Sequence, residues 1–387
     1  MSRTKKPSPF SRLHARFAEN IRRQALADLV ANRSAREPAN LLAAKALSVA
    51  ILSLPPILGL GGLVLVVAGF PNILLVLFGA MFLVFAWMVR PRPAKLPERV
   101  VTAEEAPKLF ALLSEVAGAM QAPTPDGVVL FADFNAWVGF FGPERRQKLI
   151  LGLGVPLWKL LTPSERLALL GHEFGHLVNG DPARRGVIGR ALEVLHRWHD
   201  LWAGEEMFIA GTGEARHLHQ RTFIEVIFTG VGEAITGSLI ALLTRLFYAE
   251  SQRAEYLADA LAARTAGSDA AVATLHATIL APLGAAALNG AFVQPNTKTD
   301  LIGKMVTAIR EADAKARAAL LAAAEAEGVA VDGTHPPTRQ RLRFLSELSI
   351  EKGLISMSQA RTDAIDRELA GEFDRIEVDL RRMVASQ

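Results

Sequence analysis

From Ala46 to Val89 the chain runs for about 44 residues without one charged side chain. A single bilayer crossing needs about 20 apolar residues, so this run is long enough for two. At its midpoint "AGFPN" (68–72) supplies Gly, Pro and Asn, the residues of a tight turn. The pattern predicts a membrane hairpin with helices over roughly 46–68 and 72–89. Pro55 and Pro56 should kink the first helix, which a membrane helix tolerates when neighbours satisfy the freed carbonyls. Trp87 falls at the end of the second, where an indole favours the interface. A buried hairpin of a soluble protein is the alternative, and the length of the run argues against it. A cleaved signal peptide fits poorly, because the polar region ahead of the apolar run is too long.

Charge orients the hairpin. Arg22, Arg23, Arg33, Arg36 and Lys45 precede it, and Arg90, Arg92, Lys95 and Arg99 follow it, whereas the turn carries no charge. Positive flanks stay in the cytoplasm, so both ends, and the rest of the chain with them, are expected on the cytoplasmic side of the cell (inner) membrane. The formal net charge of +4 does not indicate nucleic acid. Residues 1–45 hold an excess of roughly +7, so the basicity belongs to an N-terminal arm and not to a folded face. No nucleic-acid-reading motif is present, and the expected partner on this side is the lipid bilayer. There is no cysteine, which excludes disulfides and thiolate ligands, so a bound metal must be held by His and carboxylate.

After the arm (1–45) and hairpin (46–89), "RPRPAKLPERV" (90–100) reads as a linker into a domain over 101–350. Within it "GVVLFADFNAWVGFF" (127–141) and "KLILGLGV" (148–155) read as strands separated by a turn. Beyond 155 the chain reads as helical, giving a mainly α fold with a small β-sheet. Segments 223–247 and 270–293 are apolar, but the first holds Glu225, Glu233 and Arg245 and the second Pro282 and Asn289. They are expected as core or membrane-surface helices, leaving two spans in total. Residues 351–387 form an amphipathic, charge-laced C-terminal helix suited to docking or oligomerisation.

The chemistry concentrates in "LTPSERLALLGHEFGHLVNGD". Thr162 and Glu165 form a capping box, Pro163 takes the first helical position, and Gly180 suits the stop. Residues four apart share a helix face, so His172 and His176 can present two imidazoles to one Zn2+ at roughly 2.0–2.1 Å. Glu173 is turned off that line, towards a water and away from the metal, as a general base must be. A catalytic zinc wants a third protein ligand and an open position. In "AESQRAEYLADALAARTAG" (249–267), Glu255 and Asp259 share a face. Glu255 would be the ligand and Asp259 would orient a ligand by hydrogen bonding. In isolation, such carboxylates on a helix are ordinary.

Together, "HEFGH", "NGD" (179–181) and "AEYLAD" resemble the HtpX and prenyl-CAAX-endopeptidase family of integral-membrane zinc metallopeptidases. The resemblance implies an α+β zincin-like domain with His172, His176 and Glu255 as ligands, Glu173 as base, and Asp259 and Asp181 supporting them. "FNAW" resembles the family's edge strand, which implies that Asn135 and Ala136 line the substrate cleft. "THPPTRQRL" resembles its late His-Pro segment, which implies roles for His335, as a second donor to the oxyanion, and for Arg341 near the reaction centre. The resemblance covers roughly residues 40–345, and its N-terminal hairpin matches the HtpX-like branch. Members of that branch carry two further spans between the motif helix and the third ligand, which 185–245 does not offer.

The expected activity is peptide-bond hydrolysis by a metal-activated water, on unfolded or membrane-protein substrates, in membrane quality control. The alternative is a non-proteolytic interaction or sensor module with a structural zinc. Glu173 argues against it, since a structural site has no use for a base. Other histidines, His196, His199, His217, His219 and His276, lack a base in register and read as packing or surface residues.

Overall fold

The computed structural model describes residues 19–23, 39–91, 95–143, 146–203, 223–288, 300–326 and 336–385; the side chains of 181–185, 203, 223–228 and 249–250 are not described. Contacts group the chain into two units. One comprises Met1–Ala35, Pro93–Pro182 and Ser251–Gln387, the other Arg36–Arg92 and Ala183–Glu250. The fold is that of a mainly helical α+β domain with one small sheet, joined to an N-terminal pair of apolar helices.

In the second unit, α1 (Ala39–Gly69) and α2 (Ile73–Met88) form the hairpin. Asn72 builds the turn: its side chain accepts from the amides of Leu74 and Leu75 at 3.1 and 3.4 Å, satisfying donors a bare helix start leaves open. The helices touch backbone to backbone where Gly62 faces Gly79; a Cβ on Gly62 would lie 2.7 Å from the Gly79 carbonyl oxygen. Small residues that admit such approach are the usual glue of membrane helices. Around this seam Ile57, Leu60, Val67, Phe70, Leu77 and Trp87 are exposed, an apolar surface that suits lipid. Helix α1 starts at Ala39, ahead of the expected 46, and runs through Pro55 and Pro56. Its first turns are clothed by protein: Leu41, Ala44 and Ile51 pack with Ile188, Val194 and Leu195 of a later helix and with Leu243.

In the first unit, α3 (Pro107–Met120) precedes a three-stranded sheet of β1 (Gly127–Phe131), β2 (Ala136–Phe141) and β3 (Lys148–Gly154). The order is β1-β3-β2, with β1 parallel and β2 antiparallel to the central strand. β2 is therefore an outer strand, in the register Ala136↔Leu153. Short α4 (Val155–Leu160) leads into α5 (Pro163–Val178), which carries the two histidines. Helix α6 (Asp181–Ala203) belongs mostly to the second unit, and α7 (Phe223–Ala266) contributes to both. Then follow α8 (Ser268–Ile279), α9 (Ala281–Ala286), α10 (Leu301–Arg310), α11 (Ala314–Ala326) and α12 (Thr338–Leu348).

The C-terminal region is two helices where one was expected, α13 (Gln359–Glu368) and α14 (Ala370–Ala385). Ile365, Phe373 and Ile376 sit in the same apolar core as Leu113, Leu151, Leu170 and Phe174. Two of their carboxylates close the starts of other helices: Glu368 accepts from the amides of Lys108 and Leu109, Glu377 from those of Leu301 and Ile302. Asp366 holds the buried Arg166 guanidinium in a bidentate pair at 2.7 and 2.9 Å and accepts from the Trp158 indole at 2.9 Å.

Among the described residues, three helices are long and apolar enough to cross a membrane, Ala39–Gly69, Thr229–Ala266 and Ser268–Ala286, and Ile73–Met88 is a shorter apolar helix. Ser268–Ala286 is interrupted at Leu280, and its Ala271 and Leu275 pack in a core with Ala168 and Leu345. Its Thr274 hydroxyl donates to the Glu165 carbonyl at 3.1 Å.

Candidate metal centre

Helix α5 is fixed at both ends. Glu165 accepts from the Thr162 amide at 2.9 Å, completing the capping box, and Gly180 ends the run with φ of +72°. Between them the helix lies unusually close to α7. A Cβ on Gly175 would come 2.8 Å from the Ala258 Cα, and one on Gly171 would come 3.0 Å from the Ala262 Cα. Two glycines four apart on α5, facing alanines four apart on α7, let the backbones nearly touch. That approach carries Glu255 to the histidines.

The result is a compact donor set. One ligand atom each from His172, His176 and Glu255 lie within 4.8 Å of one another. The Glu255 carboxylate oxygens are 3.6 Å from His172 Nε2 and 3.7 Å from His176 Nε2, and the two rings stand edge to face at 4.9 Å. These spacings are too long for hydrogen bonds. They sit close to the edge of about 3.4 Å that a tetrahedron with 2.0–2.1 Å arms would have. Two imidazoles and a carboxylate, buried together, fit a divalent cation of borderline softness.

Around the donors runs a polar relay. His172 Nδ1 is 3.1 Å from Asp259 Oδ1, which leaves Nε2 for the ligand position. Asp259 is gripped by Arg341 through two bonds, Nε to Oδ2 at 2.8 Å and Nη2 to Oδ1 at 2.6 Å. Arg341 also lies 3.7 Å from a Glu255 oxygen. Burial alone would lower the pKa of this guanidinium, but Asp259 and then Glu255 hold it above its ordinary value, so it stays charged. Behind the ligand, Tyr256 donates to Gln340 at 3.0 Å and packs its ring on Phe344 at 5.1 Å.

Glu173 is buried on α5, one residue past His172. Ala136 opens β2 and Asn135 precedes it: the Asn135 carbonyl accepts from the Gly154 amide at 2.9 Å, and its side chain accepts from the Ala136 amide. α5 packs directly against this strand. Asp181 opens α6, but its side chain, like all of His335, lies outside the described residues, as do His217 and His219. His196, exposed, contacts the Leu192 carbonyl through Nδ1 at 2.8 Å, and the half-buried His199 contacts the Thr236 hydroxyl through Nδ1 at 3.1 Å. Sequence reasoning missed Gly171, Gly175 and the Tyr256–Gln340 bond. The glycines were detectable in principle, as small residues at helical spacing where helix propensity disfavours them.

Comparison with known proteins agrees with this geometry. The chain is 29% identical over 147 residues to Protease HtpX homolog 2 of Sulfurisphaera tokodaii, a match that covers 35% of this chain and 44% of that protein. The chain thus spans less than half the length of that relative. No solved structure matches. The sequence model of Peptidase family M48 matches residues 103–349, which take in every donor described above and stop short of the apolar hairpin and of the C-terminal helices α13 and α14. The chain belongs to peptidase family M48.

Proposed function

We propose that this chain is a membrane-anchored zinc metalloendopeptidase that hydrolyses peptide bonds in unfolded or membrane-protein substrates, in membrane quality control. The observation that carries the reading is the convergence of His172, His176 and Glu255 with Glu173 one position along the same helix. When bound there, zinc supplies a Lewis acid that polarises a carbonyl and acidifies a water. His172, His176 and Glu255 would hold it. Asp259 fixes the His172 tautomer, and Arg341 keeps Asp259 ionised and in place. Glu173 takes the proton of the attacking water and returns it to the leaving amine. The outer edge of β2, starting at Asn135 and Ala136, receives an extended substrate by strand addition, which favours unfolded segments. His335, Asp181 and the oxyanion contact proposed for His335 belong to this reading as expectations from the family motif.

The membrane part of the reading rests on the hairpin alone. Its seam is protein-packed, its outside is apolar, and both flanks are basic. Arg22, ahead of the hairpin, pairs with Glu347, far beyond it, which supports a reading with both sides of the hairpin in one compartment and a cytoplasmic catalytic domain.

The test compares wild type with Glu173→Gln, purified as the full chain. The variant should retain about one zinc per chain and lose at least about 10²-fold in turnover on an unfolded protein substrate. Cleavage at the wild-type rate, or a zinc-loaded wild type that cleaves no peptide, would replace the peptidase by a scaffold with a structural metal.

A further inference from the structure

Helix α12 reaches the metal centre from outside, and a second clamp holds it at its far end. At the inner end Arg341 grips Asp259, Gln340 accepts from Tyr256, and Phe344 packs on the same ring. Arg341 and Glu347 are six residues apart, about 9 Å along the axis. At the outer end the partner is a short helical stretch, residues 19–23, from the arm ahead of the membrane hairpin. Arg22 is buried, and its guanidinium bonds to both Glu19 oxygens, at 2.7 and 3.1 Å, and to Glu347. Arg343 closes the ring, bonding Glu347 at 2.9 Å and lying 3.9 Å from Glu19. Ile21 is buried beside it. The Arg22 hydrogen bond holds the Glu19 carboxyl at about 2, so this carboxylate stays charged at any working pH.

Leu345 packs this eleven-residue helix on Ala168 and Leu275, an apolar contact that tolerates rotation and sliding; the two polar clamps at its ends fix its axis and its rotation. From sequence the arm is a basic N-terminal segment, and Arg22 is one of the charges that orient the hairpin. We infer that Arg22 and Glu347 are positioning residues for the metal centre: they lock α12, and through it the Arg341–Asp259–His172 relay, in the geometry that binds metal. This rests on the proposed metallopeptidase, and it makes the segment ahead of the hairpin a working part of the catalytic unit. The chemical logic is that of outer partners that orient a ligating imidazole, extended by one step.

The experiment uses the full chain in detergent, with Glu347→Gln, Arg22→Glu, Glu347→Arg and the Arg22→Glu/Glu347→Arg double variant. Zinc affinity is read by chelator competition, and kcat and KM on an unfolded protein substrate. Each single variant should bind zinc about tenfold more weakly and lose about tenfold in kcat, the lower end of what outer-partner changes cost, with KM unchanged. The double variant, which restores attraction between positions 22 and 347 but sets each new charge beside a like one, at Glu19 and at Arg343, should recover part of both losses relative to the single reversals. Glu347→Gln introduces no repulsion at a partly exposed site, so it reports on the latch even if the reversals fail to fold. Lowered melting temperature with wild-type zinc affinity and kcat would make the latch merely structural and overturn the inference. So would a folded double variant no better than the singles. If wild type itself binds no zinc or cleaves nothing, the metallopeptidase reading fails, and that result is distinct from these.

Discussion

Glu255 is a carboxylate with no exposure to solvent, set between two imidazoles and a guanidinium. Such a group is costly to bury without compensating charge, and its position makes sense as a metal ligand. The helix register that brings it there also separates the histidines by task. His172 carries Asp259 on its second nitrogen, whereas His196 and His199 spend theirs on a helix carbonyl and a hydroxyl. His172→Ala should therefore abolish zinc retention through dialysis, while His196→Ala should keep about one zinc per chain, measured by atomic emission on folded protein. Equal retention in both would mean the wrong histidines had been assigned. At this scale the sequence was informative, because helical spacing is rigid: four residues apart means one face, and one residue on means off it. That His172 and His176 share a face could be read from five letters. The closeness of α5 to α7 could not, since it depends on Gly175 meeting Ala258, 83 positions on, and Gly171 meeting Ala262, 91 positions on.

Among the elements, the C-terminal helices departed furthest from expectation. An amphipathic, charge-rich segment shows that one face is covered but not by what, and here the cover is the protein's own core. The anchor is Asp366, which neutralises the buried Arg166 beneath the Trp158 ring. Asp366→Ala would leave that guanidinium buried and unpaired. It should cost about 2 kcal/mol in denaturant unfolding, below the usual range for a broken buried pair because Asp366 is partly exposed. The latch stretch 19–23 makes a second prediction. Arg22 depresses the Glu19 carboxyl from 4.5 to about 2, so the folded state binds this proton less readily than the unfolded chain. Its stabilisation is complete above pH about 4.5 and is lost as pH falls towards 2. The melting temperatures of wild type and Glu19→Gln should thus differ at pH 6 and converge as the pH is lowered to 2. A gap that stays constant over that range would show that Glu19 does not titrate with folding.

For the whole molecule, the apolar helical hairpin was legible from hydropathy, because a bilayer imposes a length and a polarity that no packing detail can mask. What escaped was the interleaving, in which Pro93–Pro182 and Ser251–Gln387 form one unit around an excursion into another. The topology prediction tests the part that was read. Single cysteines at Ser8 and Ser164, in a chain that has none of its own, should resist an impermeant thiol reagent in intact cells and label after lysis. Labelling of either before lysis would place that region outside. The interleaving also sets a clock. His172 and His176 leave the ribosome well before Glu255, and the core beneath α5 also takes in Phe373, Ile376 and Leu380, which follow later still. The donor set therefore cannot assemble until Glu255 has been made, and the core that supports it closes only when the C-terminal helices have arrived.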